Sequence, residues 1–119
     1  MAEPSGTYCI AWITAGSVTE ATTIARALVE ERLAACCTLL PGITSVYRWQ
    51  GAVREDEEVL LFCKTRHDLF ESLAVRVREL HSYEVPEIIC TDLAHGSRPY
   101  LQWIEESLSP AEAADGDQN

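Results

Sequence analysis

The stretch His81-Ser82-Tyr83-Glu84-Val85-Pro86-Glu87 sets one imidazole close to two carboxylates. A neutral imidazole nitrogen is a good ligand for transition metals. A metal site needs several donors, and Cys36, Glu84 or Glu87, from the same or a neighbouring subunit, are the ones on offer. The competing role for His81 is structural, because histidine at a helix C-terminus bonds the last carbonyls and suits the negative end of the dipole. Lys64 closes the apolar run Val59-Leu60-Leu61-Phe62-Cys63. It either meets an anion or carboxylate in a cleft between subunits, or snorkels from the strand end or pairs with Glu84 or Glu87. Tyr47, Trp49, Tyr83, Tyr100 and Trp103 can wall a pocket for a flat ligand or fill core and interface. Glu55-Asp56-Glu57-Glu58 either attracts cations or forms the solvated end of a hairpin, and open carboxylates without a cage hold metals weakly.

Cys9, Cys36, Cys37, Cys63 and Cys90 lie in apolar, strand-like stretches with no C-x-x-C spacing, so they read as buried hydrophobes. Cys36 and Cys37 are adjacent and point to opposite faces of a strand, which keeps them from sharing an ion. Reduced thiols fit a cytoplasmic location. The chain has no G-x-S-x-G, H-E-x-x-H or Walker A loop, so it is expected not to be an enzyme. Thr14-Ala15-Gly16-Ser17 precedes a helix N-terminus, a place suited to anions, but lacks the arginine a phosphatase of this kind needs.

Nine basic against 19 acidic residues give a net charge of −10 over 119 residues. Phosphate backbones are bound through Lys and Arg, so neither nucleic acid nor an anionic membrane is expected as a partner. An RNA-binding sheet would also need aromatics among basic residues. Cationic partners, divalent metals included, are favoured. No apolar run reaches membrane-spanning length and no hydrophobic signal region opens the chain.

The elements that must position these residues follow from spacing. An apolar run predicts a strand over 8–13. Ser17 and Glu20 form a capping box for a helix over 18–33, whose inner stripe is Ala21, Ile24, Ala25, Leu28, Val29 and Leu33. Strand-like residues 36–40 stop at Pro41-Gly42, a bulge or an edge position. Residues 43–49 and 52–65, joined by Gln50-Gly51, read as a long hairpin. Leu69, Phe70, Leu73, Ala74, Val77 and Leu80 predict a second helix, capped by Asp68 or Thr65. Pro86 keeps 81–87 a loop, 88–93 is a strand, 95–97 a turn, and Ser97 caps a last helix carrying Leu101, Ile104 and Leu108. Residues 1–7 and 109–119 are expected to be disordered, leaving one domain over 8–108.

This β-α-β-β-α-β order is the α+β, ferredoxin-like split βαβ sandwich with a long hairpin between its second and third strands and a C-terminal helix. Helices cover one sheet face. The other face is too apolar for water, so self-association is expected.

The blocks Leu28-Val29-Glu30-Glu31-Arg32-Leu33-Ala34-Ala35-Cys36, the hairpin from Pro41 through Tyr47-Arg48-Trp49-Gln50-Gly51, Lys64-Thr65, the 81–87 loop and Tyr100-Leu101-Gln102-Trp103 resemble, in order, those of the CutA family. The resemblance runs from Tyr8 to Leu108. It implies a homotrimer and a role in divalent-cation tolerance and the response to metal ions, copper in particular; that no cofactor is needed for folding is expected from the length of the chain alone. It also implies likeness to trimeric nitrogen-signalling proteins of the PII type, hence the alternative of a module binding a small metabolite between subunits. Lys64, Tyr83, Glu84, Glu87, Trp49 and Trp103 are then the ligand-binding residues, and His81 with Cys36 the metal ligands. One departure stands out. The copper site proposed for a bacterial member uses a first-strand Cys and two adjacent His, where this chain has Ile13, Leu80 and His81, and Ser82 replaces the usual proline.

Overall fold

Alternation along Tyr8–Ala15 sends Cys9, Ala11 and Ile13 into the core and leaves Ile10 and Trp12 on the opposite face. In the computed structural model, which describes residues 2–4 and 7–110, this strand is the centre of the molecule. The elements run β1 (Ala2–Pro4), β2 (Tyr8–Ala15), α1 (Val18–Glu30), β3 (Cys36–Trp49), β4 (Ala52–Arg66), a 3₁₀ turn (His67–Leu69), α2 (Phe70–Leu80), β5 (Ile88–Asp92), β6 (His95–Ser97) and α3 (Arg98–Ser107). The main sheet is antiparallel in the order β3-β4-β2-β5, which is the expected ferredoxin-like split βαβ arrangement.

The core lies between the helices and one face of this sheet, where Ile13, Leu61 and Cys63 meet Ile24 and Leu28 of α1 and Leu73 and Val77 of α2. A second cluster, Ala35, Leu69, Leu101, Ile104 and Leu108, seats α3. The other face carries Ile10, Trp12, Leu60 and Phe62 half-exposed, with Leu40 and Ile89 open to solvent at the two outer strands.

Pro41-Gly42 does not end its strand. β3 continues through it by a register shift between Leu40 and Ile43, with Gly42 at φ +75°, and β3 lies at the sheet edge, where a missing amide costs no ladder bond. Gln50 and Gly51 both take positive φ, the pattern of a tight type I′ hairpin turn.

Several local expectations are corrected. Arg32 at φ +61° ends α1 before Leu33. The Ser17 hydroxyl accepts from the Glu20 amide at 3.1 Å, but the Glu20 carboxylate does not return to Ser17 and instead receives the Ser82 amide and hydroxyl at 2.9 and 2.8 Å. Neither proposed residue caps α2: Thr65 donates to the Leu33 carbonyl at 2.7 Å and Asp68 accepts from Arg66 Nε at 2.8 Å. Ser97 occupies the N-cap of α3 without a capping side-chain bond. Residues 95–97 form a strand, not a turn, because Ala2–Pro4, within the segment expected to be disordered, pairs with them. Of the expected disordered tail over 109–119, residues 111–119 lie outside the described residues.

Candidate functional site

The 81–87 loop drops back against the root of the hairpin, where Pro86 stiffens it and Gly16 makes room for it. A Cβ on Gly16 would stand 3.2 Å from the Tyr83 hydroxyl. Between loop and hairpin lies a cleft of about 640 Å³ whose walls include Trp49, Tyr47, Glu58, Tyr83, Glu84 and Glu87. Four of the residues expected from the sequence, Trp49, Tyr83, Glu84 and Glu87, are therefore brought together. Lys64 and Trp103 are not. Lys64 lies on the uncovered sheet face, its Nζ 5.4 Å from the Phe62 ring centroid and 6.0 Å from that of Tyr100, which in turn stacks at 5.4 Å on Trp103. Among the described residues its partners are aromatic faces rather than the carboxylates of Glu84 or Glu87.

Glu58 is the residue of the cleft that the sequence concealed. It closes an acidic run whose other members are exposed, yet it is itself only 8% exposed. Tyr83 Oη donates to Glu58 Oε2 at 2.6 Å, a charge-assisted bond that offsets the burial of the carboxylate. Burial, and then this bond, push the Tyr83 phenol well above its ordinary range. Tyr47 Oη donates to Asp56 further up the hairpin. The cleft thus presents fixed carboxylate oxygens among aromatic walls and, among the described residues, no cation of its own.

His81 lies beneath this site rather than in it. Its side chain is fully buried. Nε2 donates to the Thr14 carbonyl at 2.7 Å, and Nδ1 accepts the Tyr83 amide at 3.1 Å, while the Tyr83 ring stacks on it at 4.6 Å. Glu20 Oε2 stands 3.2 Å from the same Nδ1. Both ring nitrogens are taken, and His81 orients the loop that carries Tyr83. Cys36 is remote from it: it faces Lys64, four positions along β4 from the Leu60 that pairs with Thr14, or about 13 Å of strand. The positions matching the bacterial copper site are unsuited to an ion, since Ile13 is buried core and Leu80 packs against it.

Three donors not foreseen as a group do converge. Cys9 on β2, Cys90 on β5 and His67 in the 3₁₀ turn hold ligand atoms within 4.8 Å of one another. Burial, and then the neighbouring Cys90, push the Cys9 thiol up to about 12. No sequence spacing signals this group, because the three residues come from three separate elements.

The strand order and the two crossover helices define a ferredoxin-like α+β protein, with a cleft lined by Glu58, Glu84 and Glu87 against its long hairpin. The model of the family described as CutA1 divalent ion tolerance protein matches residues 9–107. The chain belongs to that family. It is 55% identical over 95 residues to the divalent-cation tolerance protein CutA of Thermus thermophilus, covering 80% of this chain and 92% of that one. It is 46% identical over 101 residues to human protein CutA, covering 85% of this chain and 56% of the longer human one. Among solved structures, the divalent cation tolerance protein of Thermus thermophilus superposes with a TM-score of 0.84 at 51% identity over 86% of this chain and 99% of that one. CutA1 from Oryza sativa superposes with a TM-score of 0.86 at 35% identity over 88% and 96% of the two chains.

Proposed function

We propose that this protein serves tolerance to divalent cations by binding them reversibly, without turning over a substrate, and that it does so as a homotrimer in the cytoplasm. The observation that carries the binding seat is the cleft in which Glu58, Glu84 and Glu87 share one cavity with Trp49 and Tyr83. Their carboxylate oxygens suit hard divalent ions. They are not gathered into a cage: among the described residues, only Cys9, His67 and Cys90 bring three donor atoms within 4.8 Å of one another. The ion is therefore held with much of its water shell, as an exchangeable guest. Cu²⁺ is the tightest of the first-row ions here, by the general order of divalent affinities.

Self-association is supported by the apolar face that the helices leave uncovered and by the outer edge of β3, and a count of three is what the family resemblance implies. A calorimetric titration with Mn²⁺ and Cu²⁺ tests the binding. Saturable binding, weakened at least tenfold in the Glu58→Gln, Glu84→Gln, Glu87→Gln triple variant, is expected. Binding that is unaffected by the triple variant overturns the assignment of the cleft.

A further inference from the structure

The three convergent donors lie away from the cleft, at the β5 edge of the sheet. Cys9 sits on the helix-facing side of β2, opposite Asp92, and Cys90 lies two positions along β5 on the same side. The His67 amide donates to the Thr7 carbonyl at 2.9 Å, which ties the 3₁₀ turn to the start of β2 beside Cys9. The His67 ring is oriented in turn: Nε2 bonds Asp92 Oδ1 at 2.8 Å, which leaves the lone pair on Nδ1. A carboxylate behind a histidine is the usual outer-shell arrangement of metal-binding imidazoles, because it fixes the tautomer and raises ligand basicity.

We propose that Cys9, Cys90 and His67 form a binding site for a soft, thiophilic divalent cation, Zn²⁺ or its heavier congener Cd²⁺, with Asp92 positioning His67 and a water completing the tetrahedron. Two sulfurs and an imidazole are the donor set such ions prefer. A tetrahedral ion with ordinary Zn–S and Zn–N bonds needs its donors about 3.5–3.8 Å apart. The present separation within 4.8 Å closes to this by side-chain adjustments of about 1 Å. Each sulfur–metal bond forms as the thiol proton leaves, so two protons are released per ion and no electron is transferred. Cys9 is buried, whereas the His67 side chain is 39% exposed, so an ion can enter from the imidazole side. The site is chemically distinct from the cleft: it takes soft ions through thiolates, while the cleft offers only oxygen.

The test is a Co²⁺ titration of the reduced full-length protein, read by the thiolate-to-cobalt charge-transfer absorption in the near ultraviolet. One such site per chain is expected, displaced stoichiometrically by Zn²⁺ or Cd²⁺. Cys90→Ser and His67→Ala, both at partly exposed positions, should each weaken it at least tenfold while circular dichroism stays unchanged. Cys36→Ser and Glu58→Gln should leave it intact. The absence of the band, its survival with full affinity in Cys90→Ser and His67→Ala, or its loss in Cys36→Ser or Cys37→Ser would overturn the assignment. Failure of the cleft to bind Mn²⁺ would not touch it.

Discussion

Tyr83 is tied at both ends, its amide to His81 Nδ1 and its hydroxyl to a nearly buried Glu58. Tyr83→Phe deletes the hydroxyl and leaves the carboxylate without its donor, which costs about 1–3 kcal/mol for a buried acceptor. Urea denaturation should show that loss. Alkaline pH provides a second reading. The Tyr8 phenol is pushed up to about 12, by burial first and then by its hydrogen bond to Glu105, and Tyr83 is raised for the same kinds of reason. The unfolded tyrosine, with its ordinary value of 10.0, gives up its proton while the folded one keeps it. The folded state therefore binds more protons in this range, and stability falls as pH rises from 10.0 toward about 12. Denaturation midpoints at pH 9, 10 and 11 should decline, and Tyr8→Phe should flatten the decline relative to the parent.

The elements are held by period and by turn chemistry, and these are testable one at a time. Gly51 at φ +81° has nothing within 4 Å of the place a Cβ would occupy, so Gly51→Ala isolates the backbone cost of the hairpin turn. A loss of about 1–2 kcal/mol, the penalty for an L-residue in the left-handed region, is expected by thermal or chemical denaturation. Strands and helices were legible because their apolar spacing is local: the stripe of Ala21, Ile24, Ala25 and Leu28 reads directly as the buried face of α1. Caps were less legible, since their partners are distant. Glu20 had a plausible local partner in Ser17 and took Ser82, 62 positions away. The same holds for the site. Trp49, Tyr83, Glu84 and Glu87 were readable from recognisable blocks, whereas Glu58 was hidden in a charged run and only the Tyr83 hydroxyl reveals its burial. Lys64 was read for its position after five apolar residues, which correctly placed it on a strand but could not tell which face would receive it.

At the scale of the whole molecule, two helices and a four-stranded sheet enclose one core and leave a second apolar surface without a cover. Leu60 and Phe62 of β4 and Trp12 of β2 are neighbours on that surface, with Trp12 and Phe62 rings 5.7 Å apart. A carboxylate placed among them would have to be desolvated in any assembly, so if the proposed homotrimer forms through this face, Phe62→Asp should lower the mass measured by light scattering toward that of one chain. In the proposed homotrimer, copies of the chain would cover each other's uncovered sheet faces. The most direct measurement is the mass of the purified protein by light scattering at micromolar concentration. The account predicts three times the 13.2 kDa of one chain. A well-folded species of 13.2 kDa would contradict it.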